Sequence, residues 1–283
     1  MYADDIKIYG IYSRENSNQV RSALQASLAN LAEWASNWNV TINFNKSSIL
    51  HLGPGSTIDY AVNGLVLKSC STTKDLGVVV DNTLKFSKHV DHCVGKAYST
   101  LFLLLRNIRS NNPRLLTRLF KAFVIPHLEY CSQVWNPFLK RDVDKIERVQ
   151  KTFTRLLFKR LSPYGAIPCY HDRLQKLNMK SLCERRALAD LVFGFKVLRK
   201  EMKLRASKYW LFKPTSVRTG GFNLYYAKIQ QKSFLCMFNN VFYRLARWFQ
   251  LLPQDALKAQ NGKAFREKLK QLDLSRLLNI ACY

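Results

Sequence analysis

Negative charge is what this sequence most lacks. Asp and Glu number 19 against 45 Lys and Arg in 283 residues, a formal charge of +26 at neutral pH. A field of that size and sign calls for a polyanionic partner, either nucleic acid or an anionic membrane surface. Long apolar runs are missing too. None exceeds five residues, as at 101–105, whereas a membrane-crossing helix needs about 20. The chain opens without the basic-then-apolar pattern of a signal peptide. Its seven cysteines, at positions 70, 93, 131, 169, 183, 236 and 282, contain no Cys-x-x-Cys pair. That excludes a zinc knuckle and a redox dithiol motif, and reduced thiols in an intracellular compartment (cytoplasm or nucleus) are expected. Internal repeats and low-complexity tracts are absent, which excludes a solenoid. What is present is a core: 47% hydrophobic residues and 12% aromatics, too many for a disordered basic tail.

The positive charge is unevenly placed. Residues 1–84 carry 6 Lys/Arg against 7 Asp/Glu, residues 85–160 carry 16 against 5, and residues 161–283 carry 23 against 7. A near-neutral front and a basic back suggest a catalytic or structural piece followed by a polyanion grip. Local patterns agree with three parts, 1–84, 85–160 and 161–283. The first reads as strand, turn and strand through residue 9, then an amphipathic helix on Val20, Leu24, Leu28, Leu31, Ala35 and Trp38. Strands follow at 40–44 and 48–52, with shorter ones at 58–67 and 77–80. Helices are expected at 86–108, 114–130, 141–158, 182–200, 228–252 and 263–278, with a linker at 214–221. The fold class is therefore α+β.

Asp4 and Asp5, adjacent on a tight turn, can share a pair of divalent cations, because the turn aims both carboxylates at one spot. Mg²⁺ favours such hard oxygen ligands, and two such ions can activate a hydroxyl and stabilise a leaving pyrophosphate. Taken alone, the pair also reads as a solvated turn. His89, His92 and Cys93 crowd one helical stretch but lack a fourth ligand at zinc spacing. His127, in an apolar segment, reads as a hydrogen-bonded structural histidine. Phe234, Phe238, Val241, Phe242, Leu245 and Trp248 recur at helical spacing, which favours core packing over a base-stacking platform. Lys96, Arg106, Arg109, Arg114, Arg118 and Lys121 exceed the nearby acids, whereas a merely solvated face mixes both signs. They point to phosphate contact without base readout.

The order of several motifs resembles the reverse transcriptases of non-LTR (LINE-type) retrotransposons of the jockey and chicken-repeat clades. Tyr2-Ala3-Asp4-Asp5 resembles palm motif C, and the segment from Leu31-Ala32-Glu33-Trp34 to Trp38 resembles the helix after it. Phe44-Asn45-Lys46-Ser47 with Leu50-His51-Leu52-Gly53 is similar to motif D, and Asp75-Leu76-Gly77-Val78 to the primer-grip motif E. Phe86-Ser87-Lys88-His89-Val90 resembles the start of the thumb. The most specific match runs from Pro126-His127-Leu128-Glu129-Tyr130-Cys131 through Ser132-Gln133-Val134-Trp135-Asn136-Pro137. Ile146-Glu147-Arg148-Val149-Gln150-Lys151 follows it. Trp248, Leu252-Pro253, Phe265 and Lys268-Leu269 are similar to the family's tail, although Phe249 replaces its usual asparagine.

The resemblance implies an incomplete palm sheet over 1–84, an all-helical basic thumb over 85–160 and a helical extension over 161–283. It implies RNA-directed DNA polymerisation with RNA template, DNA primer and dNTP as partners. Asp4 and Asp5 would be ligands of a two-Mg²⁺ site, Lys46 the general acid, and Leu76 and Gly77 would meet the primer terminus. The family's third metal-binding aspartate, fingers and endonuclease find no match, so the expectation is a fragment inactive by itself. Two rivals remain: a remnant that only binds RNA or DNA, and a basic amphipathic protein on anionic membranes. The second is disfavoured because the apolar faces are sized for helix packing.

Overall fold

The structure, a computed structural model, describes residues 5–53, 58–212, 224–226 and 240–278. Helices and short strands are mixed, as the α+β class requires, and the chain divides into two units, Met1–Leu84 and Lys85–Tyr283. No described helix is long and apolar enough to cross a membrane.

In the first unit, helix α1 (Ser17–Asn37) turns Leu24, Leu28 and Ala32 onto a small core of Tyr60, Val62 and Leu67. The Gln25 carboxamide on α1 acts as a strand partner, donating to the Ala61 carbonyl at 2.6 Å and accepting from the Ala61 amide at 3.2 Å. Six short strands follow: β1 (Ser48–Leu50), β2 (Ala61–Val62), β3 (Leu65–Val66), β4 (Lys68–Cys70), β5 (Thr72–Asp75) and β6 (Val78–Asp81). β1 pairs with β4 in parallel, while β2–β3 and β5–β6 are antiparallel hairpins. Both hairpins close on two residues at positive φ, Asn63-Gly64 and Leu76-Gly77. This is the turn whose twist matches that of the flanking strands.

Two expected strands are not formed. Residues 6–9 alternate apolar and other side chains but make no ladder, and Ile6 and Ile8 are about 40% exposed (42% and 40%). Alternation marks a strand only where a partner edge exists to bury one face. Residues 40–44 run into a 3₁₀ turn, Phe44–Lys46, because the Asn43 side chain accepts the Lys46 amide at 3.2 Å and competes with strand pairing.

The second unit opens with α2 (Ser87–Asn107) and α3 (Pro113–Leu119). α3 passes through a wide π turn, Phe120–Val124, into α4 (Ile125–Glu129). Pro126 explains the wide turn: it has no N–H for a regular helical bond and its ring crowds the preceding carbonyl. α5 (Ser132–Trp135) and the long α6 (Lys140–Leu161) complete this half. Val90, Ala97 and Leu101 of α2, Phe120 and Leu128, and Ile146, Val149, Phe153 and Leu157 of α6 are all buried. Phe120 and Phe153 stack at 4.0 Å.

α7 (Tyr170–Lys176) packs on α6, and a second core follows on α8 (Leu182–Leu198), the antiparallel β7–β8 pair (Trp210–Phe212 with Leu224–Tyr226) and α9 (Val241–Leu251). α10 (Gln254–Leu257), α11 (Gly262–Lys270) and α12 (Leu274–Leu277) close it. The helix expected at 263–278 is thus broken in two, because Asp273 caps a new start by accepting the Arg276 amide at 3.2 Å. Val241, Leu245 and Phe249 of α9 are buried with Leu191, Phe195 and Phe265, and Phe242 and Trp248 pack against them. A Cβ at Gly194 would meet Leu245 at 2.6 Å and Phe249 at 2.8 Å, so only glycine lets α8 and α9 approach this closely. Phe234 and Phe238, the 228–239 part of the expected helix, and the 214–221 linker lie outside the described residues.

Candidate nucleic-acid interface

Charge is segregated along the helices of the second unit. Residues 92–128 contain no Asp or Glu and include Lys96, Arg106, Arg109, Arg114, Arg118 and Lys121; residues 148–171 also contain none and include Arg148, Lys151, Arg155, Lys159 and Arg160. The first stretch covers most of α2 through α4, and the second starts within α6, which packs on α2. All six residues singled out in the first stretch are exposed, and among the described residues none forms an ion pair. Lys121 alone is partly engaged, donating to the Asn178 carbonyl at 3.5 Å. Partial burial, helped by nearby Arg185, lowers its pKa. Unpaired cations in an acid-free field attract phosphates without reading bases.

This face is held by ionic contacts made elsewhere. α2 and α6 run in the same direction, with Asp91 ion-paired to Lys145 and Tyr98 hydrogen-bonded to Thr152. At their far ends Arg160 of α6 donates to the carbonyls of Leu105 and Ile108, both at 2.8 Å, and of Ser110 at 3.4 Å. One guanidinium thereby satisfies carbonyls that the end of α2 leaves open.

The segment 126–137, the strongest motif in the sequence, is structural. Trp135 is fully buried and donates its indole N–H to the Tyr130 carbonyl at 2.7 Å. His89 meets the Trp135 ring edge-on at 4.9 Å and lies 3.3 Å from the Cys93 sulfur. Burial lowers the His89 pKa to about 4, reinforced by His92, and raises the Cys93 thiol to about 11. His127 is hydrogen-bonded to Thr100 at 3.2 Å. Glu129 holds Arg185 of α8 through two contacts, one of them 2.8 Å. Asn136 accepts from Arg186 at 2.9 Å and donates to Asp190 at 3.4 Å. In the 146–151 motif, the Glu147 carboxylate receives the Tyr170 hydroxyl and the Leu182 amide, and Gln150 donates to the Lys180 carbonyl at 3.0 Å. Burial and the Glu147 carboxylate both raise the Tyr170 hydroxyl's pKa.

The candidate catalytic residues belong to the first unit. Asp5 is exposed in an isolated bridge, and Asp4 lies outside the described residues. Lys7 pairs with Asp75, which ties the stretch after Asp5 to the β5–β6 hairpin whose tip carries Leu76 and Gly77. Lys46 is exposed on its 3₁₀ turn, and its backbone amide bonds to Asn43. Among the described residues no three His, Cys, Asp or Glu side chains come together to hold a metal ion.

The sequence names Glu129 and Asn136 only within the 126–137 motif and gives no sign of their partners Arg185 and Arg186, nor of Arg160, Asp190 and Arg244. Nor does it single out Phe102, whose place in an apolar run conceals that it is half-exposed. The acid-free stretches were the available signal for the interface.

No protein-family model matches the chain, and no solved structure does. An uncharacterised protein of Caenorhabditis elegans is 33% identical over 117 residues, 41% of this chain and 58% of that protein. The RNA-directed DNA polymerase from mobile element jockey of Drosophila melanogaster is 28% identical over 162 residues, 55% of this chain and 17% of the polymerase. The probable RNA-directed DNA polymerase from transposon BS, also of Drosophila melanogaster, is 27% identical over 164 residues, 55% of this chain and 18% of that protein. The chain thus spans less than a fifth of the length of these polymerases (17% and 18%) and 58% of the worm protein. Over about 55% of its length, it is a relative of the jockey-type RNA-directed DNA polymerases of non-LTR retrotransposons.

Proposed function

We propose that this chain is part of a non-LTR retrotransposon reverse transcriptase and that Lys85–Tyr283 serves as its sequence-independent grip on nucleic acid. The observation that carries the reading is the pair of acid-free basic stretches on packed helices α2 to α4 and α6. Similarity to RNA-directed DNA polymerases suggests the polymer: template RNA and primer DNA are the polyanions such a polymerase handles. In this reading Met1–Leu84 belongs to the palm, 85–160 to the thumb and 161–283 to a helical extension. Leu76 and Gly77, at the tip of a two-residue turn, would approach the primer end. Asp4 and Asp5 would supply carboxylates to a two-Mg²⁺ site, and Lys46 would be the general acid.

Binding titrations test the grip. If roughly six phosphates are neutralised, log affinity falls with log salt at a slope near −4 on single strands and −5 on duplex. A chain ending at Leu84 is expected to lose nearly all binding. A flat salt response, or full affinity in that shortened chain, overturns the proposal. A second reading is binding without polymerisation. Primer extension by the 283-residue chain with Mg²⁺ or Mn²⁺ decides between them.

A further inference from the structure

At the shared C-terminal end of α2 and α6 lies an open groove of about 600 Å³, lined by Phe102, Leu105, Arg106, Leu156, Lys159 and Arg160. Its apolar wall carries a ring that is not buried: Phe102 is 52% exposed. That ring is held in place from behind by Tyr98, one helical turn earlier, with centroids 5.8 Å apart and planes 13° from parallel. Tyr98 is itself hydrogen-bonded to Thr152 of α6. The aromatic surface is therefore presented by a stacked pair of rings on α2, one of them anchored to α6.

The groove's polar rim is cationic. Arg160 is committed to the carbonyls at the end of α2, and its charge offsets the partial negative charge a helix C-terminus would turn toward an anion. Arg106 and Lys159 are exposed and, among the described residues, have no carboxylate partner. The stretches that supply the groove, 92–128 and 148–171, hold no Asp or Glu at all. An exposed aromatic face between unpaired cations matches the two halves of an unpaired nucleotide, a flat base and a phosphate. A duplex cannot use the ring, because its bases are already stacked and its phosphates face outward. An apolar protein segment could cover Phe102 but would leave the cationic rim without a partner.

We propose that this groove holds one nucleotide of a single strand, its base lying on Phe102 and its flanking phosphates meeting Arg106 and Lys159. The proposal rests on the nucleic-acid reading of the second unit and adds to it a site selective for unpaired strand, RNA or DNA alike.

The test uses the full 283-residue chain with labelled oligo-dT and oligo-U of about 15 nucleotides, a length near one such binding site, and a duplex of the same length. Phe102→Ala is expected to weaken single-strand binding about tenfold, since stacking on one aromatic ring contributes about that factor. Duplex affinity and the salt slope should stay as in the parent chain. Phe102→Trp should retain single-strand binding, and a 2-aminopurine probe should be quenched by the parent and not by Phe102→Ala. Arg106→Gln with Lys159→Gln should weaken both ligands and reduce the single-strand salt slope by about 1.4. Thermal unfolding of each variant controls for folding. Equal loss on single strand and duplex, or no loss, in a folded Phe102→Ala chain overturns the stacking site and leaves the phosphate grip standing. Loss of single-strand binding in Phe102→Trp overturns it too. If Phe102→Ala abolishes self-association and leaves oligonucleotide binding unchanged, the ring is a protein contact instead. If the parent binds neither ligand, the nucleic-acid reading itself falls.

Discussion

Arg244 of α9 donates a 2.8 Å hydrogen bond to the carboxylate of Asp190, which is wholly buried on α8. Burial raises the Asp190 carboxyl above its usual range, against the lowering by Arg244, Arg186 and the Asn136 amide. One carboxylate thus answers two guanidinium groups at the point where segment 126–137, α8 and α9 meet.

Removing that carboxylate leaves buried positive charge uncompensated. Asp190→Asn is expected to destabilise the second unit by about 3–5 kcal/mol, as for other broken buried pairs. Urea unfolding measures it. Asp190→Leu with Arg244→Met removes both partners and should cost less than the sum of the single changes, because the penalty arises from the stranded charge. Additive losses would show that the two side chains contribute independently.

Arg160 permits a separate test, since it bonds three carbonyls in and just past the last turn of α2. Arg160→Ala should cost about 1–3 kcal/mol, the range for losing charge-assisted hydrogen bonds at a partly buried site. Arg160→Lys should recover only part, since an ammonium cannot reproduce the planar fork. Hydrogen exchange at the end of α2 should rise in Arg160→Ala before it rises at Val90. Uniform acceleration along α2 would show that the cap has no local role.

Much of the helical half is legible in the sequence, and the reasons are local. α2 and α6 follow from apolar residues at three- and four-residue spacing, and Asn111-Asn112-Pro113 marks the α3 start because Asn112 caps it and Pro113 has no N–H to leave without an acceptor. The Asp190–Arg244 pair spans 54 positions and has no local signature. Phe102 reads as core within an all-apolar run, and only the position of α6 leaves it outside. The 3₁₀ turn of Lys46 and the Leu76-Gly77 turn are not legible as such: the alternation suggests a strand at 40–44 and another from 77, whereas the Asn43 cap and the β5–β6 pairing make turns there. Asp190 and Arg186 illustrate the same limit: a charged residue within a helix pattern gives no sign that it is buried.

His89 sets a pH dependence whose sign follows from its burial. Its folded pKa is lowered to about 4 from 6.5, so the unfolded chain takes up a proton first as pH falls. The stability present above pH 6.5 is therefore lost progressively as the pH drops toward about 4. In His89→Gln, which cannot titrate, that part of the loss should vanish. Urea midpoints measured from pH 7 down to about 4 should show the parent falling more steeply than the variant. Parallel curves would mean that His89 is not the titrating group.

The first unit leaves apolar side chains in water: Tyr9 is 80% exposed, Ile11 85%, Trp38 70% and Val66 63%. Its described core is small, Tyr60, Val62 and Leu67 with their neighbours, and the β1–β4 pair is only two strands wide. Apolar surface and open strand edges together favour association with another chain. Sedimentation should therefore show concentration-dependent self-association that Ile11→Ser with Trp38→Ser reduces. If the reverse-transcriptase reading holds, the natural cover for this surface is the rest of a palm. A chimera carrying the palm-and-fingers segment of a jockey-type polymerase ahead of residue 1 should then be more soluble and extend a primer on RNA with Mg²⁺. That activity should disappear in Asp4→Asn and in Asp5→Asn, while oligonucleotide binding by the second unit persists. A chimera that extends primers equally well with both aspartates replaced would remove Asp4 and Asp5 from the catalytic site. An insoluble chimera alongside a monomeric parent chain would remove the palm assignment of the first unit.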